Sequence, residues 1–295
     1  MTDNITGAPI RKETFFCRKR TLNCRGKIIN LSSPVVMGIM NITPDSFYDG
    51  GRHMRPWDAI KLAEKLLHDG AHILDMGAAS SRPGAAIIDP AEEQERLIPA
   101  LKAVVRQYPE AIISVDTYHA STATIAIDSG AHMINDISAG TVDPAMFQTI
   151  ARLQVPYVIM HMQGRPDNMQ KNPQYTHLIK EVAGFFSGII KKLRDLGVHD
   201  IVIDPGFGFG KSLQHNYELL ANLDYFAIFD LPILVGFSRK SMINKVLNTK
   251  PEQALNGTTV LNTIALQKGA DILRVHDAKE AVEAIKITGF LKNQQ

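Results

Sequence analysis

The residues best suited to chemistry fall in ones, twos and threes at the ends of short apolar runs. Asn41 follows "VVMGIM", Ser80, Ser81 and Arg82 follow "HILDM" after a glycine turn, and Asp116 ends "IISVD". Asn135 and Asp136 end "HMIND", His161 ends "YVIMH", and Asp204 ends "IVID". Ser238, Arg239 and Lys240 follow "ILVG", and Arg274 and His276 close "ILRVH". By type they form two groups. Asp116, Asn135, Asp204 and Lys240 suit a flat, polar heterocycle, because an aspartate facing an N–C–N edge accepts two hydrogen bonds and its charge strengthens each. Arg274, His276, Asn41, Ser81 and Arg82 suit phosphate oxygens, with a guanidinium fork, a hydroxyl and backbone N–H groups at helix starts as donors. Asn41 is also the kind of oxygen ligand magnesium takes when water and substrate phosphates fill most of its shell.

Each of these residues has a plainer reading. Asp116, ahead of "TYHASTATIAIDSG", can cap a helix. Asp204 precedes proline, a common turn pattern. Asn135 and Asp136 can satisfy loop backbone, and Asp75 inside "HILDM" reads either as a rim ligand or as a partner for loop amides. His161, between Met160 and Met162, reads as a satisfied core histidine, Lys240 as a solvated helix start, and the methionines mostly as gap fillers. Independent caps, however, have no reason to gather acids, amides and cations on one rim.

The stretch "IVIDPGFGFGKS" at 201–212 resembles a phosphate loop but is not one. The P-loop pattern needs a glycine where Pro205 stands, and Gly206, Gly208 and Gly210 are spaced too closely for a dinucleotide fingerprint. Lys211 at its end reads as solvated rather than catalytic. No H-E-x-x-H or clustered Cys/His pattern points to zinc, and no G-x-S-x-G elbow points to a serine nucleophile.

The elements that must position these residues repeat along the chain. "DGAHILDMG", "SGAHMINDI" and "KGADILRVHD", with the looser "LGVHDIVIDPG", each start at a helix-ending glycine and continue into a short apolar run. Non-alternating apolar runs suit parallel strands buried on both faces. Eight are present, at 35–40, 72–76, 112–116, 132–136, 157–161, 201–204, 233–236 and 272–275. Helical stretches separate them, including "PWDAIKLAEKLLHDG", "PAEEQERLIPALKAVVRQY", which Pro99 can kink, and "THLIKEVAGFFSGIIKKLRDLG". Eight such units predict a single-domain α/β protein, a closed (β/α)₈ barrel (TIM barrel), over 31–291, with an open doubly wound sheet as the competing layout. In a barrel the polar strand ends converge on the C-terminal rim. Residues 1–30 form an N-terminal extension, read as a short β-hairpin at the barrel bottom turning near Asn23.

Composition narrows the partners. Among 295 residues, 32 Lys and Arg against 30 Asp and Glu leave a net charge of +2, too even to argue for nucleic acid or a membrane surface. No apolar run reaches transmembrane length, and the N-terminus lacks a signal-peptide pattern. Cys17 and Cys24 do not make a disulfide framework, and a cytoplasmic setting is expected, with one disulfide between them left open.

The motifs together resemble the dihydropteroate synthase family of pterin-binding barrels. "VMGIMNITPDSFYDGG", "DMGAASSRPGA", "SVDT", "INDIS", "MHMQGRP", "DPGFGFGK", "GFSRKS" and "RVHD" match in order between about residues 35 and 277. The resemblance implies condensation of 7,8-dihydropterin-6-ylmethyl diphosphate with 4-aminobenzoate, giving 7,8-dihydropteroate and diphosphate for folate biosynthesis. It implies a pterin site at Asp116, Asn135, Asp204 and Lys240, with Met160 and Phe209 against the ring. It implies a diphosphate and Mg²⁺ site at Asn41, Ser81, Arg274 and His276, with Asn41 as metal ligand. Asp116, Arg274, His276 and Lys240 would be the catalytic set. Phe47, Arg82 and Pro83 would lie on mobile loops completing the 4-aminobenzoate site beside Ser238 and Phe207. A homodimer through the late helices is also implied. The second loop departs from the family pattern, reading "GAASSRPG" where the family has G-G-E-S-T-R-P-G. Ser81 keeps the hydroxyl, and Ala79 removes a charge. Two other functions are consistent with a pterin-binding barrel: methyl transfer from methyltetrahydrofolate to a corrinoid protein, and a catalytically silent binding or assembly role. The diphosphate ligands that the resemblance implies argue against both.

Overall fold

The computed structural model describes residues 20–42, 55–79, 88–164, 169 and 173–294. Two strands at the N-terminal end of this range, β1 (Thr21–Cys24) and β2 (Lys27–Asn30), pair antiparallel as a hairpin. The eight apolar runs then form β3 (Val35–Asn41), β4 (Ile73–Gly77), β5 (Ile112–Asp116), β6 (Met133–Asp136), β7 (Tyr157–Met160), β8 (Ile201–Asp204), β9 (Leu234–Val235) and β10 (Ile272–Val275). All pair parallel, in the order β8-β7-β6-β5-β4-β3-β10-β9. A bridge between Ile203 and Ile233 brings β8 beside β9, so the sheet curls into the expected barrel rather than an open sheet.

Helices alternate with the strands: α1 (Pro56–His68), α2 (Pro90–Gln107), α3 (Ala120–Asp128), α4 (Met146–Leu153), α5 (Leu178–Asp195), α6 (Leu213–Ala221), α7 (Ser241–Leu247), α8 (Leu255–Gln267) and α9 (Ala278–Lys292). Local signals place them. Asp89 caps α2 by accepting from Ala91 N at 2.8 Å, and α2 continues through Pro99 as one helix. The repeated glycines Gly70, Gly130, Gly197 and Gly269 follow helices with φ between 79° and 104°, the left-handed geometry that ends a helix without steric cost.

Along each barrel strand, alternate residues divide between two cores. Val36, Leu74, Ile113, Ile134, Ile159, Ile203 and Leu273 face the helices in the large outer core. Val35, Met37, Ile73, Met133, Val158, Val202, Leu234 and Ile272 share a second core with Leu22, Cys24, Ile29 and Leu31, so the hairpin plugs the N-terminal end of the barrel. Its turn is Arg25–Gly26, not Asn23. Both turn residues have positive φ, at 57° and 90°, as two-residue hairpin turns require. Asn23 sits in the strand and accepts from Gly26 N at 2.8 Å. Arg25 Nη1 donates to Ile127 O at 2.7 Å, tying the turn to the end of α3.

Candidate active site

Two residues further along the inward faces, apolar side chains give way to Asp75, Ser114, Asp116, Asn135, Asp204 and Arg274. The register explains the gathering: Asp75 pairs with Ser114, and Asp116 with Asn135, so each pair points the same way. Above this layer, at the C-terminal ends of the strands, lies a cavity of about 610 Å³. Asn41, Asn135, Met160, Asp204, Phe209, Ser238, Lys240, Arg274 and His276 all line it, with Gly208 and Gly236 opening space between them. Nine of the residues expected from sequence therefore share one space, and Asp204 and Arg274 border the same cavity.

Arg274 organises the floor. Its Nε donates to Asp75 Oδ2 at 2.6 Å and its Nη2 to Asp116 Oδ2 at 2.7 Å. Asn135 Nδ2 donates to the same Asp75 oxygen at 3.0 Å. Burial pushes the Asp116 carboxyl up to about 7 against the pull of Arg274. Asp116 is held on the guanidinium with its side chain 12% exposed. Asp75 is fully buried, and its Oδ1 and the nearby Ser114 Oγ have no hydrogen-bond partner among the described residues. The strand parity that points Ile73 inward also points Asp75 inward, and this was the signal for its role.

On the opposite wall, Asp204 Oδ1 accepts from Gly206 N at 2.7 Å, and burial raises its carboxyl while Lys240 opposes the rise. Lys240 Nζ donates to Phe207 O at 2.5 Å and stands 4.6 Å from the centre of the Phe209 ring. Desolvation brings this ammonium down to about 8. Met160 and Phe209 belong to an apolar cluster with Tyr118, Ile137 and Met169, against which Ala79 packs. This wall can hold a flat ring edge-on to Asp204 and face-on to Met160 and Phe209.

Nearer the mouth, Ser238 Oγ lies 2.9 Å from His276 Nδ1. Burial, with Arg239 and Arg274 close by, lowers His276 to about 4, so the ring is neutral at physiological pH and acts through hydrogen bonds. Arg239, Ser241, Pro251 and Glu252 extend the lining outward. Arg239 and Ser241 stand where β9 leads into α7, and Pro251 and Glu252 follow α7; of the four, sequence reasoning had singled out only Arg239.

Two expectations need correction. Phe207 offers no apolar edge to the cavity: its ring is fully buried, 4.5 Å from that of Phe237, and only its carbonyl reaches the site. The backbone turn at Gly206 and Gly208 aims Phe207 outward and Phe209 inward. Lys211 is not solvated. It is 3% exposed, and its Nζ lies 3.0 Å from His161 Nδ1, because the loop folds back over it. His161 is the satisfied core histidine, held neutral by burial at about 2. Asp136 is structural, accepting from Ser138, Gly140 and Tyr157. Phe47, Ser81, Arg82, Pro83 and Cys17 lie outside the described residues.

No group of three His, Cys, Asp or Glu placed to hold a metal occurs among the described residues. Asn41, exposed at the end of β3, is the single oxygen donor foreseen for one. That donor set suits a magnesium ion whose remaining ligands are water and substrate phosphate.

The family model for pterin binding enzymes matches residues 37–276. The dihydropteroate synthase of Escherichia coli K12 is 44% identical over 268 residues, covering 90% of this chain and 94% of that one. A crystal structure of Yersinia pestis dihydropteroate synthase with a sulfonamide drug superposes with a TM-score of 0.88 at 42% identity, covering 92% of this chain and 99% of the other. One from Xanthomonas albilineans with 4-aminobenzoic acid gives 0.86 at 38% identity, covering 92% and 98%.

Proposed function

The chain belongs to the dihydropteroate synthases of the pterin-binding family, and from that membership we propose how its own residues carry the reaction. The enzyme is a transferase: it joins 7,8-dihydropterin-6-ylmethyl diphosphate to 4-aminobenzoate, releasing diphosphate. The bond from the methylene carbon to the diphosphate oxygen breaks with its electron pair going to oxygen. The amine lone pair forms the new C–N bond, and the nitrogen then loses a proton.

One observation supports the residue assignment above the others: Asp204, Asn135 and Lys240 share a single cavity with Arg274, His276 and Asn41. In this reading Asp204 and Asn135 hold the polar edge of the pterin while Met160 and Phe209 cover its face. Lys240 fixes the ring's orientation near its carbonyl; as a cation it opposes positive charge on the ring, so its contribution is binding. Asp116 and Asp75 lie close behind the ring and favour the positive charge that spreads into it as diphosphate departs. Arg274 links the two needs, paired to these acids and bordering the space where phosphate charge grows. His276, neutral, supplies a hydrogen bond to the same oxygens. Asn41 would hold magnesium together with water and the diphosphate, and the bound ion would neutralise charge on the leaving group. The 4-aminobenzoate takes the outer cavity, beside Ser238 and Ser241, where Arg239 is paired to Asp277 at 2.8 Å. Water has to be kept from that end, because it competes for the cation.

We further propose a cytoplasmic homodimer. Val246, Leu247 and Val260 on α7 and α8, with Ile287 and Phe290 on α9, expose apolar surface consistent with a partner there. Among the described residues no helix is long and apolar enough to cross a membrane.

The test is diphosphate release from the pterin substrate. Release that requires both magnesium and 4-aminobenzoate is expected. A corrinoid methyltransferase would not cleave the diphosphate, and a silent barrel would bind the pterin without releasing it; either outcome overturns the assignment.

A further inference from the structure

Lys211 is a buried cation that the reaction scheme above leaves unused. Its side chain does not line the cavity, yet every acceptor around it belongs to the segments that build the ring-binding wall. Nζ donates to Gly206 O at 2.9 Å, Phe209 O at 3.0 Å and His161 O at 3.2 Å, and lies 3.0 Å from His161 Nδ1. Lysine has three donors and no acceptor, so these four groups saturate it, one bond being shared. The ammonium therefore ties the end of β7 to both limbs of the 205–210 loop.

Within that loop Phe209 N also donates to Gly206 O at 3.1 Å, and Gly206 N to Asp204 Oδ1 at 2.7 Å. Gly206 and Gly210 both have positive φ, and a Cβ on either would strike the 161–163 backbone, at 2.0 Å from His161 O and 2.5 Å from Gln163 O. From outside, Tyr175 Oη donates to Gly210 O at 2.7 Å, and Asn216 Oδ1 accepts from Gly208 N at 2.6 Å. What the loop presents to the cavity is Asp204 at its start and the Phe209 ring, and it supplies the Phe207 carbonyl that holds Lys240.

We propose that Lys211 is a positioning residue for the pterin subsite, an internal strut that fixes the 205–210 loop against His161. It touches no substrate. Burial lowers Lys211 to about 7 against the pull of Asp204, and below that its charge, with those of Lys240 and Arg274, favours the ionised Asp204, while His161 beside it stays neutral. Removing it should loosen the pterin wall and raise the pH at which Asp204 takes up a proton, leaving the aminobenzoate end alone. This inference rests on the reading of Asp204 as a pterin ligand.

The experiment uses 6-hydroxymethyl-7,8-dihydropterin as the probe, titrated into wild type and Lys211→Met by calorimetry between pH 5 and 8. Failure of the wild type to bind would sink the pterin reading itself, independently of the strut. Given wild-type binding, a folded K211M should bind the probe at least about tenfold more weakly. Its acid limb of binding should move to higher pH, while KM for 4-aminobenzoate changes less than about twofold, since no hydrogen bond of Lys211 reaches that end. Unchanged probe affinity, or equal weakening for both substrates, overturns the proposal. Should K211M fail to fold, acetylation of the wild-type protein decides. Lys211 should resist acetic anhydride with or without the probe, while Lys240 is protected only with it. Labelling of Lys211 as fast as exposed Lys191 would overturn the strut.

Discussion

The two ends of the barrel are built from the same strands with the same inward parity, yet they do opposite work. At the N-terminal end Val35, Ile73, Met133, Val158, Val202, Leu234 and Ile272 meet the hairpin residues Leu22, Cys24 and Ile29 in a dry core. Further along the same faces stand Asp75, Ser114, Asn135, Asp204 and Arg274. The bottom removes apolar surface from water and leaves no polar side chain to satisfy. The top buries three carboxylates beside one guanidinium and one lysine on the cavity wall, and among the described residues Asp75 Oδ1 and Ser114 Oγ have no partner. Burying charge in this way is costly unless each charge is paired. The stability of the lower layer is what allows the upper one to hold charges ready for a substrate whose own charge moves during reaction.

Arg274→Met should break this comparison most severely. Asp75 and Asp116 would lose their common cation, and the phosphate end would lose its fork. A fall in kcat/KM of about 10²–10³-fold is expected, together with a lower Tm because two acids remain buried without a partner. Adding Asp75→Asn should recover part of the Tm and none of the activity. Recovery of both would mean that Arg274 is needed only to neutralise the floor.

At the other end, Leu22→Ala should cost about 2–5 kcal/mol in urea unfolding. Its kcat should stay within about twofold of wild type while the protein is folded, since no catalytic group touches the hairpin. A loss of kcat comparable to the loss of stability would show that the two ends are coupled through the strands.

Asp204→Asn tests the upper layer more gently. The amide keeps the shape and one acceptor but loses the charge, so affinity for the pterin should fall by roughly 1.5–3 kcal/mol, the range for a hydrogen bond to a charged group. Binding of 4-aminobenzoate should change little. Equal loss for both would place Asp204 at the junction of the substrates rather than on the ring.

The contrast between the ends also explains what the sequence could reveal. The bottom was legible as apolar runs, and the rim as the polar residue that ends each run. Asp75 was left open between a rim ligand and a partner for loop amides; its parity with Ile73 pointed inward, and the bond from Arg274 shows what it meets there. Lys211 was misread because a lysine after a glycine loop is ordinarily solvated. Its burial follows from the loop folding back on His161, a contact 50 residues away in sequence. Phe207 and Phe209 differ by two residues, but the irregular turn between them destroys the strand parity that would have put both on one side. Asn23 was mistaken for the turn because asparagine favours one, whereas Arg25 takes the left-handed position, with its guanidinium on the carbonyl of Ile127.

The smallest expected effect is one of slope. His161 is neutral in the folded protein down to about pH 2, whereas an unfolded histidine titrates near 6.5. Between those values the unfolded chain binds one more proton at this site, so its contribution to stability is present above 6.5 and is lost as pH falls. Asp116 has the opposite sign: with its folded value at about 7 and its ordinary value at 3.8, the native state holds the extra proton, and stability falls as pH rises through that window. Between pH 5.5 and 4.5 the two groups therefore oppose each other, each approaching about 1.4 kcal/mol per pH unit at its limit. His161→Phe should reduce the rise of unfolding free energy with pH, and Asp116→Asn should steepen it, as urea titrations at half-unit pH intervals would measure. A slope unchanged by His161→Phe would mean that the imidazole beside Lys211 already carries a proton, which the three other bonds of that ammonium could not accommodate without moving the loop.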